Sequence, residues 1–437
     1  MNALLQVCQQ QLLAADAQLP GHDALSIRRF RQEAMQRALQ TGLPTQQMEH
    51  WKYTPTRWLT ESAYAFHAGG CVGLDPEDLK ALLVARGQVH HLVFVNGLLS
   101  LPLSGLDGLP AGVQVESMAR LARESPEALE PWLGSDVTGA DQGLAALNQA
   151  LWPDGAFVRL ASGVQLSQPL QLLFLTTSFR EPIVTLPWSV VILGEGARAQ
   201  VIESYATLGQ GDHFTNARTT LVLGQGAQLD HLLLLAESDR AHHVGSVQAT
   251  QLGASRLAAR VFAVGGALTR HELHVALAGA EAECHPDGLF VAGGRQHLEL
   301  HSWIHHLHSH TRSQQWFKGV LDGEARGVFN GVVRVPQGVR EIQARQQTDN
   351  LLLSDRAEIA AKPQLEIHSD AVQCHHGATV GSLDAEAIFY LRSRGLDEEC
   401  ARKLLVQGFI DVLLQRVQPA VVREWIARRL NSGEVAS

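Results

Sequence analysis

A cysteine and a histidine near the C-terminal end of the chain have the residue types and the spacing of metal ligands. Cys374 lies two residues before His376 in the sequence Val-Gln-Cys-His-His-Gly-Ala-Thr. Because side chains alternate along a β-strand, a strand here would place Cys374 and His376 on one face and His375 on the other. A thiolate beside an imidazole suits iron, zinc or copper. Two ligands do not close a metal site, so this pair alone would be incomplete.

A second group of candidate ligands lies upstream, because twelve of the 21 histidines fall between positions 271 and 376. His297, Glu299 and His301 alternate and would share one strand face, and the stretch 306–310 repeats the spacing. Such faces hold zinc or non-haem iron in some metal-dependent barrels. The structural alternative is the polar outer face of a repeating β-structure with the intervening leucines turned inward, since any half-buried strand alternates.

The cysteines are odd in number and far apart, at positions 8, 71, 284, 374 and 400. This spacing favours free thiols in a reducing cytoplasm. No Cys-x-x-Cys occurs, and a cluster held within one chain usually needs four closely arranged ligands. The sequence therefore argues against a simple ferredoxin and against a structural zinc protein.

Composition excludes several classes of partner. The 437 residues are 45% hydrophobic and 18% charged, as in an ordinary globular protein. The net charge of −9 argues against nucleic acid, whose phosphates need a basic surface. The first residues show neither a cationic start nor a long apolar stretch, so we expect no secretory signal and no membrane span. The Gly-x-x-x-x-Gly-Lys-Ser/Thr phosphate loop is missing, so we expect no ATP site of that kind in this chain.

Helical patterns at both ends enclose a β-rich middle. Asp23 would cap a first helix that ends at Gly42. Asp384 and Asp397 would each cap a helix near the C-terminus, the second with an apolar stripe. The patterns predict an N-terminal helical domain with a short strand region over 1–155, a β core over 156–381 and a C-terminal helical domain over 382–437.

The β-rich middle contains a weak internal repeat. Turn sequences that begin at Leu193, Leu223 and Leu252 are each followed by an apolar strand, and further copies recur at intervals of roughly 25–45 residues. One turn plus one strand cannot bury its apolar face alone, whereas stacked coils can. The repeat predicts a β-solenoid, most simply a parallel β-helix, with an antiparallel sandwich or barrel as the alternative.

The sequence around the cysteine and histidine pair resembles that of the SufB/SufD family of iron–sulfur cluster assembly scaffolds. The Cys-His-His-Gly-Ala-Thr run is similar to the SufD form, where SufB members have a run closer to Glu-His-Glu-Ala-Thr. The matching segments keep the family's order along the chain: Trp51-Lys-Tyr-Thr-Pro55, Thr311-x-Ser313, Lys318–Gly331, Gln346-x-x-x-Asn350, Lys362–Gly381 and Ile388–Leu396. The chain departs from better-known members at His368 and His375, and its histidine cluster from His305 to His310 is richer than the family pattern requires.

The resemblance implies a right-handed parallel β-helix between two helical domains, in a cytoplasmic subunit that is not itself an enzyme. It implies a SufB-like partner and a SufC-like ABC-type ATPase, and it leaves open whether the isolated chain forms a homodimer. The family's cluster-related positions fall on His376 and Cys374, which would contribute to a transient iron–sulfur cluster shared with SufB. The ATPase would dock on the C-terminal helices, at Phe389, Leu391, Leu396, Phe409, Ile410 and Leu413.

Two other functions stay open at this point. One is a metal-dependent β-solenoid or barrel enzyme that uses His297, Glu299, His301 and the stretch up to His310. The other is a purely structural partner, in which replacing His376 would be silent and replacing Phe409 or Leu413 would break the complex.

Overall fold

The computed structural model describes residues 19–61, 64–66, 74–84, 88–133, 142–177, 182–209 and 211–432. At its centre is a β-solenoid of about seven turns, with helices before and after it in the chain. The mainly β class and the parallel solenoid predicted from the repeat are therefore confirmed.

The described strands, in chain order, are β1 (Ala65–Phe66), β2 (His90–Val95), β3 (Leu98–Leu99), β4 (Val113–Ser117), β5 (Ala156–Leu160), β6 (Leu170–Thr177), β7 (Ile183–Thr185), β8 (Trp188–Leu193), β9 (Arg198–Leu208), β10 (His213–Leu223), β11 (Gln228–Ala236), β12 (Ala241–Gln251), β13 (Arg256–Ala263), β14 (Leu268–Leu277), β15 (Glu283–Ala292), β16 (His297–His306), β17 (Arg312–Leu321), β18 (Arg326–Val335), β19 (Ile342–Leu352), β20 (Glu358–Ile367) and β21 (Val372–Gly381).

The described helices are α1 (Leu25–Thr41), α2 (Trp58–Glu61), α3 (Met118–Glu124), α4 (Gln142–Leu151), α5 (Ala385–Ser393), α6 (Glu398–Leu414) and α7 (Ala420–Ser432), with short 3₁₀ turns at Glu49–Trp51, Pro76–Leu79, Leu101–Leu103, Pro126–Ala128 and Glu130–Trp132. Asp384 and Asp397 cap α5 and α6 through backbone N–H groups, as predicted. The cap predicted at Asp23 is wrong. The N-cap of α1 is Ala24, and the Asp23 carboxylate pairs with His22 instead.

Successive strands of the solenoid alternate between two sheets. The even-numbered strands from β8 to β20 form one sheet with β5 and β4, and the odd-numbered strands from β9 to β21 form the other with β6, β2 and β3. Each coil thus adds one strand to each sheet, in parallel register with the coil before it. The turns stack closely, since a Cβ added to Gly224 would lie 2.9 Å from the backbone nitrogen of Glu195. This stacking explains the Leu-Gly-x-Gly-Ala turns of the repeat.

Leucine, valine and phenylalanine side chains fill most of the space between the two sheets, and a few buried polar groups interrupt them. Glu203 accepts hydrogen bonds from Tyr205 (2.6 Å), Thr219 (2.8 Å) and His231 (3.1 Å). A buried carboxylate is tolerated when its oxygens are satisfied in this way. The sequence patterns did not predict this interior network.

The N-terminal and C-terminal α-helices pack on the outer faces of different sheets. Helices α1 and α4 pack together and contribute to an apolar cluster with residues of the even-numbered sheet, such as Phe214. Helices α6 and α7 pack on the odd-numbered sheet, where Leu413 and Trp425 join Leu234 and Leu289. Strands β20 and β21 are the last strands of the two sheets and end the solenoid.

Candidate functional site

The cysteine and histidine pair lies on the last strand of the solenoid. Among the described strands, β21 pairs only with β19, and β20 only with β18, so each sheet ends on an open edge. Unpaired backbone N–H and C=O groups along such an edge readily accept a further strand. Most residues of β21 are exposed.

Parallel register fixes the direction of the side chains on β21. Cys374 pairs with Ala344 and His376 pairs with Gln346, and both of these β19 residues are buried in the interior. His375 pairs with Arg345, which is exposed on the outer face. Because parallel neighbours in register share a face, Cys374 and His376 belong to the inward face and His375 to the outward face. The predicted alternation of the three residues is confirmed.

The two candidate ligands differ in accessibility. His376 is exposed, whereas Cys374 is half-buried against the small apolar cluster of Val333, Val335 and Ile342. Burial raises the pKa of the Cys374 thiol, and a hydrogen bond with the Ala344 backbone opposes that rise only in part. The thiol is therefore protonated near neutral pH, and a metal or a cationic partner would be needed to favour the thiolate. His376 is the more available ligand of the two.

The second candidate group, at His297, Glu299 and His301, is a buried ion-pair network. The three side chains share the outward face of β16, as the spacing predicted, and both histidines bond to Glu299. The Arg270 guanidinium lies 2.7 Å from Glu299 Oε2 and also pairs with Glu272. Burial by itself would raise the pKa of Glu299, but the two histidines and Arg270 hold it well below its usual range. A guanidinium thus occupies the place that a cation would take beside this carboxylate.

The segment Trp51–Pro55 near the N-terminus, called the Trp51 box, covers this network from outside. The Trp51 ring centroid lies 4.1 Å from Arg270 Cζ, and Thr54 donates a hydrogen bond of 3.0 Å to Glu299. Within the parts of the chain that the structure describes, no group of three or more His, Cys, Asp or Glu side chains has the geometry to hold a metal ion. The arrangement favours the structural alternative for these residues.

The stretch 306–310 does not form the shared face that its spacing predicted, because β16 ends at His306. His306 is buried between Thr311 (2.7 Å) and Ser313 (2.9 Å), and burial lowers its pKa to about 4. His308 lies in the following turn and is exposed, and the backbone of His310 has a positive φ. The prediction of a shared strand face over 306–310 is therefore wrong, because the strand ends at His306.

The residues predicted to dock an ATPase fall into two groups. Phe389, with 75% of its surface exposed, and Leu396 lie at the molecular surface, and Leu391 beside them is partly exposed. Ile410 and Leu413 are buried against the odd-numbered sheet in this structure, and a contact of these two residues with an ATPase stays a prediction.

The inward-facing side of α6 is held by a buried lysine. Lys318 Nζ donates a 2.9 Å hydrogen bond to the Phe409 carbonyl and lies 3.8 Å from the Phe409 ring centroid. Phe409 thus contacts the solenoid through Lys318 in this structure, and its contact with an ATPase stays a prediction. The sequence patterns missed Tyr390 and Leu404, whose side chains are exposed beside Phe389 and on α6. The sequence feature that could have identified these two residues is an apolar side chain on the helix face opposite the buried stripe.

The described cysteines 284, 374 and 400 are free thiols, and Cys8 and Cys71 lie outside the described residues. None of the described helices is long and apolar enough to span a membrane.

Known proteins resemble this chain along most of its length. The sequence profile for the SUF system FeS cluster assembly SufBD core domain matches residues 175–409, and the profile for the SufBD protein N-terminal region matches residues 10–172. A SufBD family protein for iron–sulfur cluster assembly from Synechocystis is 32% identical over 415 residues, covering 93% of this chain and 91% of the relative. The SufD iron–sulfur cluster assembly protein of Escherichia coli is 30% identical over 402 residues, covering 91% of each chain. A chloroplastic protein of Arabidopsis thaliana, ABCI7, is 26% identical over 412 residues, covering 92% of this chain and 85% of the relative.

Proposed function

The chain belongs to the SufBD family of SUF iron–sulfur cluster assembly proteins, and we propose that it acts as a SufD-like scaffold subunit without catalysis of its own. In this function it holds one side of a nascent cluster, which is the cargo of the complex. A SufB-like chain supplies the other side, and a SufC-like ATPase supplies the energy of ATP hydrolysis.

The observation that carries the proposal is the position of Cys374 and His376 on the inward face of the last strand. The pair offers one imidazole and one thiol, which is too few for a cluster. No third ligand stands with them among the residues that the structure describes. Further ligands would come from a second chain across the open end. Imidazole and thiolate ligands differ in charge and affinity, which would leave a cluster at such a site transferable.

Open edges on β20 and β21 support a partner at that end. Both strands have unpaired backbone groups along one side, within the described sheets, and their side chains are mostly exposed or half-buried. Adding a strand from another chain to such an edge is a common mode of protein association. A SufB-like solenoid docked there would bring its own residues next to His376. A second copy of this chain would use the same edge when the partner is missing.

The exposed apolar surface of the C-terminal helices supports the ATPase contact. Phe389, Tyr390, Leu396 and Leu404 are large hydrophobic side chains that the fold leaves in solvent. Aromatic residues that fill a pocket of the partner are typical anchors of interfaces. Because α6 is also fixed to the sheet through Lys318, movement of these helices by an ATPase would be transmitted to the solenoid. This chain needs no phosphate loop in such an arrangement.

The cluster content of the isolated chain and of the three-protein complex tests the proposal. Each is reconstituted with ferrous iron and sulfide, and iron and acid-labile sulfide are measured per chain. We expect a cluster in the complex and none in the isolated chain. Stoichiometric metal on the isolated chain that is lost in His297→Ala would support the metal-dependent enzyme instead. If complexes that carry His376→Ala have the wild-type cluster content, the result would indicate that the chain is a purely structural partner.

A further inference from the structure

Three buried carboxamide side chains lie inside the last coils of the solenoid without a full set of hydrogen-bond partners. Gln315 and Gln346 are each 1% exposed, and Asn350 is 3% exposed. The atoms that lack a partner are Gln315 Nε2, both polar atoms of the Gln346 amide, and Asn350 Oδ1. Buried polar groups are nearly always hydrogen-bonded, so each such exception calls for a physical reason.

The register of the strands places two of these amides, those of Gln346 and Gln315, directly behind the candidate cluster ligand His376. His376 on β21 pairs with Gln346 on β19, and Gln346 pairs with Gln315 on β17. The three residues form one inward column that ends at the open end of the solenoid. Gln315 is fixed by Ser302 of the opposite sheet, whose hydroxyl donates a 2.6 Å hydrogen bond to its Oε1. That bond leaves the Gln315 N–H groups free for another acceptor.

The Gln346 side chain reaches across the interior to the opposite sheet. A Cβ added to Gly331 on β18 would lie 1.8 Å from Gln346 Nε2, so only glycine leaves room for the amide. Gly331 pairs with Pro363 on β20, and Gln346 pairs with His376 on β21. The amide therefore lies in the layer immediately below the space between Pro363 and His376.

The position of Gln346 in the interior could have held an apolar side chain. The next inward residue on β17, Phe317, packs its ring on Phe329 of the opposite sheet, with the ring centroids 4.5 Å apart. An apolar side chain of the same length as Gln346 would avoid the cost of an unpaired buried amide. A polar group kept at such a cost is typical of a ligand site, where function and stability oppose each other.

We propose that Gln346, supported by Gln315 behind it, positions the species bound at Cys374 and His376 by donating hydrogen bonds to its sulfide. Hydrogen bonds to the sulfur atoms of an iron–sulfur cluster change its stability and reduction potential. Gln346 is a positioning residue in this scheme, because it acts on the sulfide and does not ligate iron. The inference rests on the proposed function, since it needs a cluster at His376.

The test compares Gln346→Met with Gln347→Met in the complete complex, loaded with ferrous iron and sulfide. Methionine keeps the length of the side chain and removes the amide, and Gln347 is the outward neighbour on the same strand, where it bonds to Asp349. We expect Gln346→Met to release its cluster to an apo-acceptor about tenfold faster, the lower end of the effect of removing an outer-shell partner. Its Tm should equal or exceed that of the wild type. Gln347→Met should release its cluster at the wild-type rate.

A second variant displaces the Gln346 amide without removing it, and two results would overturn the inference. Gly331→Ala, which displaces the amide while keeping Gln346, should reproduce the faster release. Wild-type release from Gln346→Met would overturn the inference. A Tm lower in Gln346→Met than in Gln347→Met would also overturn it, because the amide would then serve the fold. The proposed function has its own test, and it would be contradicted if the complex with His376→Ala acquired as much cluster as the wild-type complex.

Discussion

His376 and Gln346 are register partners on the last two strands of one sheet, with both side chains on the inward face. This relationship connects an exposed imidazole at the open end of the solenoid to a buried amide that nothing in the described chain satisfies. A site at a solenoid end differs from a cleft, because one wall must come from another molecule. In the proposed function the chain presents half of a site, and the coil beneath it supplies polar support.

The buried ion-pair network beneath the Trp51 box predicts a large loss of stability when its cation is removed. In Arg270→Met, Glu272 and Glu299 remain buried without the guanidinium that pairs with both. We expect the free energy of unfolding to fall by about 3–5 kcal/mol, measured by urea denaturation. The matched control is Arg356→Met, because Arg356 pairs with Glu324 at the surface. That change should cost about 1 kcal/mol or less. Equal losses in the two variants would contradict the structural importance of the network.

Attachment of the C-terminal helices depends on Lys318. The Lys318→Met variant loses the hydrogen bond to the Phe409 carbonyl and the cation–π contact with the Phe409 ring. Together these contacts should contribute about 2 kcal/mol to the docking of α6. Amide hydrogen exchange over Glu398–Leu414 is therefore expected to accelerate in this variant. Lys403→Met, which alters an exposed lysine of the same helix, provides the comparison. Unchanged protection of α6 in Lys318→Met would show that the lysine does not fix the helix.

Stability should fall in mild acid because His306 is buried in its neutral form. Its pKa is about 4 in the folded chain, against an ordinary value of 6.5. Between these values the unfolded chain binds more protons, so the free energy of unfolding decreases as pH falls from about 6.5 towards 4 and is unaffected above 6.5. The contribution is at most about 1.4 kcal/mol per pH unit. His306→Gln should flatten the dependence, measured by urea denaturation at several pH values. His308→Gln, at an exposed turn, should leave the pH dependence of the free energy of unfolding unchanged. An equally steep dependence in His306→Gln would contradict the assignment of this effect to His306.

Phe389 is the exposed residue that best tests the proposed ATPase contact. Replacing it with Asp places a charge in the exposed apolar surface of the C-terminal helices and should weaken binding of a SufC-like ATPase by at least about tenfold. The Tm should stay unchanged, because the side chain is 75% exposed. Leu101→Asp is a matched control, since Leu101 is 71% exposed in the N-terminal part of the chain. Binding is measured by titration calorimetry. Equal affinities for the two variants would place the ATPase elsewhere.

Strand alternation made the inward and outward faces of β16 and β21 predictable, because each side chain direction follows from position alone. The repeat of Gly-containing turns made the solenoid predictable, because stacked turns need small residues at fixed intervals. Contacts between distant segments were not predictable in this way. The pairing of Arg270 with Trp51 and the burial of Leu413 both depend on how an outer helix or loop lies on a sheet. Similarly, the space that Gly331 leaves for Gln346 arises only when the two sheets face each other.

Cluster content of the complex with His376→Ala tests the central claim most directly. The variant and a matched control, His375→Ala, are each co-expressed with a SufB-like chain and a SufC-like ATPase, and iron and acid-labile sulfide are measured in the purified complexes. Both complexes should assemble, because His376 and His375 are exposed and not part of the core. The half-site account predicts that His376→Ala loses most of its cluster, while His375→Ala, on the outward face, keeps it. Equal cluster content in the two complexes would contradict the account.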